Sequence, residues 1–485
     1  MTFAGVGISS ALGFVLSVLL ARTLGTTGAG VVFQATAAFW IALSLSRLGL
    51  DTTAVWLLPR MVSSSPHRVR PAVVGLLVPA LVSSSILALC WLIGRQLLAD
   101  PAPGRRAVYE SIDVVACFLP AAALTTVALA ATRAFGGVVP FNAIDNLALP
   151  ALRPLGVIVA VALGGATTAA TLGWAVPWVV GMVAALLVLL RMLRRPAWQG
   201  TGGLVPDREL RRTIAGYAGP RAVAAALEQS IIWIDVILVG VIAGSAAAGV
   251  YGAAARFVAA GVIIATALRI VVAPRFSALL ARGEKGAVEE LYSVTARWIL
   301  LFGAPVYLLL AAFAPTVLSF LGEGFVKGAD AMVVLCLGSI VVLAAGNVQS
   351  LLLMSGRSGL GALNKSIVLA FNVAGNLVLV PVIGIMGAAI TWAVSMLLDT
   401  ALAAYQVRKT TGIALSLRSI GRVMVLVAGC IAVPAWAIAL LWGRGVPQLL
   451  LAFALCGLLL VGACILDRRR LQLHELAALG RRRVS

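Results

Sequence analysis

Charge is scarce in this 485-residue chain. Its 37 bases and 17 acids make up 11 % of the residues, where soluble domains carry about a quarter. Lysine is rarer still at four residues, and histidine numbers two. With 61 % apolar residues besides, this composition excludes a soluble globular protein. His67 and His474 sit in basic segments with no metal-ligand or catalytic neighbourhood, so histidine-based metal or nucleophile chemistry has no foothold. The six cysteines (Cys90, Cys117, Cys336, Cys430, Cys456, Cys464) lie in apolar stretches without CxxC spacing. That excludes a disulfide framework or a zinc site and leaves them as small buried residues. Neither a metal nor another cofactor is expected.

What is present is hydrocarbon. Mean hydropathy is +1.06, and apolar runs near the ~20 residues needed to cross a bilayer recur from end to end. The first, "AGVGISSALGFVLSVLLA", lacks a basic leading region and a clear cleavage site, so it reads as a first span rather than a signal peptide. The pattern predicts an all-α polytopic membrane protein with about 14 transmembrane helices.

The net charge of +20 punctuates these spans instead of forming a soluble patch, which argues against nucleic acid as a partner. Loops after even-numbered spans and the C-terminal tail hold 25 of the 37 bases; loops after odd-numbered spans hold six. By the positive-inside rule both termini are cytoplasmic, the span count is even, and the protein is a multi-pass resident of the cytoplasmic membrane.

The chain also repeats. "LGTTGAGVVFQATAAF" (24–39) resembles "AGSAAAGVYGAAARF" (243–257), and the long spans they open close on "LLPRM" (57–61) and "VAPRF" (272–276). "GWAVPWVVGMVAALL" (173–187) is echoed by "TWAVSMLLDTALAA" (391–404). Anchored at Gly30/Gly249 and Trp174/Trp392, the numbering offsets are 219 and 218. Three ordered pairs at nearly one offset predict two pseudo-symmetric six-helix lobes. The lobes cover 1–190 and 215–410, with 191–214 as a cytoplasmic linker, two appended helices in 411–466 and a basic cytoplasmic tail in 467–485.

Six arginines (Arg47, Arg153, Arg221, Arg256, Arg269, Arg297) and five acids (Asp51, Asp145, Glu228, Asp235, Asp399) remain inside expected spans. Each costs about 2.5–3.5 kcal/mol at a helix centre, so lipid-facing burial is disfavoured. Two readings stay open: side chains near helix ends snorkel to headgroups, or they line a hydrated space. Arg221, Glu228 and Asp235 recur every seven residues on one stripe. Asn142, Asn146 and Arg153 share a face of span 5, as Lys365, Asn372 and Asn376 do in span 11. The repeat carries Asn146 onto Lys365 and Arg153 onto Asn372, so a polar face recurs in each half; interhelical hydrogen bonding is its plainer explanation. Arg47 and Asp51, four apart on one expected helix face, either pair with each other or present charge to a cavity. Arginine suits a diphosphate because its planar fork donates in pairs.

These motifs resemble the polysaccharide transporter (O-antigen, Wzx-like) flippases of the multidrug/oligosaccharidyl-lipid/polysaccharide (MOP) superfamily. The resemblance rests on "LARTLGTTGAG" (20–30), "SRLGLDTTAVWLLPRM" (46–61), "AAGVYGAAARF" (247–257), "APRFSALLARGE" (273–284) and the Asn-bearing segment 351–395. It implies two lobes opening alternately to each face and a central cationic cavity for a sugar-diphosphate head whose polyprenyl tail stays in lipid. Matched helix by helix, it implies substrate-binding roles for Arg22, Arg47, Arg256 and Arg269, which Arg153 joins on the strength of its polar face. Asn146, Asn372, Asn376 and Lys365 are the expected polar lining. Proton or sodium coupling is assigned to Glu228, Asp235 or Asp51, although Asp51 is as readily a permanent partner of an arginine. The resemblance also implies a short basic segment ahead of the first span, which this sequence does not carry.

The leading expectation is therefore a flippase for a lipid-linked oligosaccharide or cell-wall precursor, working beside glycan-assembly membrane enzymes. A multidrug antiporter of the same fold is the alternative, but export of cations calls for acids, and span 1 has none. A membrane enzyme is the third reading. The longest outer loop, "RQLLADPAPGRRAVYE", offers no nucleophile–base constellation.

Overall fold

A computed structural model of the chain describes residues 2–97, 103–194, 204–261, 263–355, 357–413, 417–467 and 472. The centre of the 191–214 stretch and nearly all of the 467–485 tail lie outside these residues. Among the described residues the backbone is helical throughout, joined by turns, with no strand. Hydrocarbon offers a peptide group no partner but its own chain, so apolar runs of this length close their hydrogen bonds as helices.

Among the described residues, eleven helices are long and apolar enough to cross a membrane, and the bent pair Arg106–Cys117 and Leu119–Ala134 makes a twelfth. The sequence count of about 14 is larger for two reasons. Spans 1 and 2 run together as the helix Thr2–Ser46, interrupted at Gly25. Span 8 is divided into Ser245–Ala260 and Ile263–Ala281, with Gly261 in a turn between them. Proline supplies much of the punctuation. Pro120, Pro150, Pro177, Pro315, Pro434 and Pro447 stand in first turns, where a missing N–H leaves no bond unmade. All six cysteines are free; Cys90 and Cys117, expected to be buried, lie on exposed helix faces.

The chain forms two compact units, Met1–Gly249 and Val250–Ser485. In the first, the 36-residue helix Arg208–Ala243 lies along Thr2–Ser46, so this unit reaches past the 191–214 stretch. Trp40 stacks on Trp233 and Trp56 on Tyr217 along that helix. Phe39, Leu43, Leu58, Leu76 and Trp178 fill the unit's interior. In the second unit Lys285–Ala312 is the central helix, burying Trp298, Leu300, Leu301 and Tyr307. Val272, Phe276, Tyr292, Leu351 and Val407 close one end of it.

The repeat is visible in the backbone itself. Gly25 (φ 67°, ψ −170°) and Gly244 (φ 90°, ψ 164°) are related by the larger of the two offsets and break their helices in the same way. Only glycine adopts that region without strain, so one residue type marks the same corner in each half. A second correspondence concerns packing. Gly156 and Gly173 meet backbone to backbone in the first unit, and Gly375 meets the Thr391 side chain in the second. Gly375 and Thr391 are the repeat counterparts of Gly156 and Gly173.

Candidate functional site

The segment around Arg47 departs from a continuous helix. Helix Thr2–Ser46 ends, Leu48 and Gly49 take left-handed φ of 51° and 67°, and helix Leu50–Ser64 begins. A methyl group on Gly49 would lie 2.8 Å from the Ala218 carbonyl oxygen and 2.9 Å from Arg221 Cβ, so the corner is glycine because helix Arg208–Ala243 crosses it closely. Arg47 and Asp51 thus do not share one helix face. They reach toward each other across the break, with Arg47 Nη1 3.1 Å from Asp51 Oδ2, and side chains 17 and 25 % exposed. The pair the sequence left open is formed, and it braces the corner.

One stretch of unusual helix carries the next charge. Asn142–Ala148 is π-helical, a geometry that widens the turn and recurs at functional sites. Here Asn146 Nδ2 donates to Asn142 Oδ1 over 2.8 Å, and Gly5 of the first helix lies against both side chains. Asp145, on the same π segment, is within electrostatic reach of Arg153, Arg133 and Arg47. The first unit therefore gathers an acid, three arginines and two amides around one stretch of hydrocarbon-crossing helix.

Arg153 sits among indoles. Its guanidinium carbon is 4.8 Å from the Trp178 ring centroid, 5.2 Å from Trp174 and 5.8 Å from Trp40. Phe39 meets Trp174 edge-on at 5.2 Å and packs Trp178 at 5.8 Å, holding two of the three rings. A guanidinium desolvated against aromatic faces gains about 0.5–2 kcal/mol per ring, which offsets part of the cost of placing charge here.

In the second unit the helices Ser358–Ile383 and Ile385–Thr411 form a hairpin with a polar seam. Lys365 Nζ lies 2.6 Å from Asp399 Oδ2. Toward the hairpin's open end, the amides of Asn364 and Gln406 exchange hydrogen bonds of 2.9 and 2.7 Å. Deeper in, Asn376 Nδ2 donates to the Asn372 carbonyl at 2.9 Å, and both side chains are fully buried. Thr391, Ser395 and Asp399 recur every four residues on the facing helix and are buried as well. Bonds between the two helices thus hold Lys365, Asn364 and Gln406, whereas the bond from Asn376 to Asn372 stays within one helix.

The remaining expected residues are dispersed. Arg22 is exposed, shortly before the Gly25 break. Arg256 is half-buried on Ser245–Ala260, beside buried Phe257. Arg269 belongs to helix Ile263–Ala281, but its side chain lies outside the described residues. Of the stripe on Arg208–Ala243, Arg221 and Glu228 are exposed whereas Asp235 is buried. Arg297 donates to the Ser293 carbonyl and to Gln472. Asp399, for which headgroup contact was one open reading, is instead sequestered against Lys365.

Sequence reasoning missed the tryptophans around Arg153, the π segment beneath Asp145 and the partners of Lys365. A usable signal existed for the last: Lys365 and Asp399 lie on adjacent helices joined by a glycine turn at Gly384. They stand at comparable distances from that turn along the two helices, which brings them to similar depth.

A profile of the polysaccharide biosynthesis protein family matches residues 1–280. No curated protein sequence matches the chain. Among solved structures, the chain resembles the lipid II flippase MurJ in its inward closed conformation (TM-score 0.77, 11 % identity, 96 % of this chain and 99 % of that one). It also resembles an inward-facing multidrug resistance MATE family transporter of the MOP superfamily (TM-score 0.64, 14 % identity, 83 and 94 %). A third likeness is to a MOP superfamily transporter from Pyrococcus furiosus, described as having a binding pocket of reverse polarity (TM-score 0.56, 14 % identity, 84 and 93 %).

Proposed function

The chain belongs to the polysaccharide biosynthesis protein family, and from that membership we propose that it is a flippase for a lipid-linked oligosaccharide or cell-wall precursor. The observation that carries this reading is the family match over residues 1–280, the part of the chain that holds Arg47, Arg153, Arg256 and Arg269. Export of a lipid-carried anion requires cations within the membrane-crossing part, and the first unit supplies Arg47 and Arg153 beside the acid Asp145. The fold likeness to a lipid II flippase supports the same class of cargo.

In this mechanism the diphosphate head leaves the headgroup region and is taken up by guanidinium groups, which donate hydrogen bonds in pairs to phosphate oxygens. Arg47, Arg256 and Arg269 carry that role, with Arg22 and Arg153 adding positive potential. Asn146 and Lys365 supply polar lining, whereas Asn372 and Asn376 are fully buried within their hairpin, and the polyprenyl tail stays in hydrocarbon. Two six-helix lobes, joined through 191–214, expose the head to each face in turn. Glu228, Asp235 or Asp51 takes up a proton or sodium ion that drives the return step. The membrane is the cytoplasmic one, with both termini inside, and glycan-assembly membrane enzymes are the expected neighbours.

Deleting the gene should trap lipid-linked glycan on the inner leaflet. Arg47→Glu or Arg256→Glu should reproduce that defect at unchanged protein level. Efflux of cationic dyes, with glycan export intact in the deletion strain, would instead establish the multidrug antiporter that the MATE likeness leaves as the alternative.

A further inference from the structure

Shortly after each of the paired breaks, the two halves of the repeat touch within the first unit. A methyl group on Gly30 would overlap the carbonyl oxygen of Ser245, and one on Gly249 would overlap the carbonyl oxygen of Thr26. Thr26 and Ser245 are themselves repeat counterparts, as are Gly30 and Gly249. Each glycine therefore meets the residue one helical turn before its own counterpart, the reciprocal pattern of a contact lying on a twofold axis.

One side chain fastens this crossing. Gln34, only 4 % exposed, donates through Nε2 to the Gly30 carbonyl at 3.1 Å and to Ser245 Oγ at 3.0 Å. Its amide also fills the space over Gly240, where a methyl group would collide with it. The repeat gives Gln34 an alanine, Ala253, as counterpart, so the clasp is single while the glycine contact is symmetric. The crossing lies at the far end of helix Arg208–Ala243 from Arg208, Arg211 and Arg212. At about 1.5 Å per residue that helix spans about 54 Å, which places the crossing at the membrane face opposite the basic one.

We infer that the Gly30–Gly249 crossing, clasped by Gln34, is the closed gate of the face opposite the basic one, and that transport requires it to part. Helices that touch through backbone alone close tightly and leave no interlocked side chains to withdraw, while the clasp adds a separable hydrogen bond. This inference rests on the alternating-access reading, but its test needs no knowledge of the cargo.

Ala37 shares the stripe of Gly30 two turns deeper and is fully buried. In a cysteine-free background, Ala37→Cys is probed with a membrane-impermeant thiol reagent applied from the face opposite the basic one. Gly30→Val, which wedges the crossing apart, should raise the labelling rate tenfold or more; Gln34→Ala, which removes the clasp, should raise it severalfold. Chromatographic profile and thermal melting confirm that each variant is folded. Should Gly30→Val fail to fold, Gln34→Ala and Gly249→Ala decide the matter. Unchanged labelling in the folded variants reduces the crossing to static packing and overturns the inference. Raised labelling without any effect of the variants on glycan export upholds the gate and removes the cargo assignment.

Discussion

Lys365 and Asp399 form an ion pair inside a helical hairpin that is otherwise apolar on its outer faces, with side chains 27 and 7 % exposed. Removing one member leaves the other charge desolvated and uncompensated, which costs about 3–5 kcal/mol, whereas replacing both by apolar residues of similar volume is close to neutral. Lys365→Met should lower the melting temperature in detergent substantially, and Lys365→Met with Asp399→Leu should recover most of the loss. Equal losses in the single and double variants would mean that the pair itself, and not the orphaned carboxylate, supplies the stability.

Arg153 provides a second stability prediction because its three indole neighbours hold it from different directions. Arg153→Ala removes those contacts and should cost about 2–3 kcal/mol, less than the sum of separate cation–π terms because the rings relax together. Lysine keeps the charge but loses the planar stacking, so Arg153→Lys should melt between the two. A lysine variant indistinguishable from alanine would show that ring stacking, not charge, is what the site requires.

Much of this was legible in the sequence. The repeat offset was set by Gly30 and Gly249, and the backbone honours it in the matching breaks at Gly25 and Gly244. Apolar run length sufficed for the helices, because hydrocarbon leaves the backbone no alternative. The corner at Leu48 and Gly49 was not legible. Nothing local distinguishes that glycine from others in spans; the close crossing of Arg208–Ala243 dictates it. The tryptophans around Arg153 escaped for a similar reason. Trp40 and Trp174 are distant in sequence and come from different helices, and helical periodicity reports which face a residue occupies but not which helix it meets.

Outside the membrane, Asp207 caps helix Arg208–Ala243 by accepting from the Leu210 N–H over 2.8 Å, and Arg68 lies 2.5 Å from its other oxygen. The backbone hydrogen bond first, and the Arg68 charge after it, hold this carboxyl below its ordinary value of 3.8. A carboxyl lowered in the folded state stabilises fully above its unfolded pKa and loses that contribution as pH falls through the folded one. Melting temperature should therefore decline as pH drops below about 4. Asp207→Asn, which retains an N-cap acceptor, should flatten that part of the profile. An unchanged slope would assign the acid sensitivity to other carboxylates.

Arg47 and Asp51 separate bracing from binding. The pair is half-buried across a helix break, so exchanging the charges in Arg47→Asp with Asp51→Arg preserves the attraction while moving the guanidinium to the neighbouring helix. Because the exchange keeps one charge of each sign on either side of the break, the exchanged protein should melt close to the parent. If the pair only braces the corner, glycan export should survive the exchange. If Arg47 also receives the diphosphate, export should fail in the exchanged protein despite its intact fold, and Asp51→Asn, which leaves Arg47 in place, should retain it when Glu228 or Asp235, rather than Asp51, is the coupling acid. Export that survives the exchange would remove Arg47 from the binding set and leave Arg256 and Arg269 to carry it.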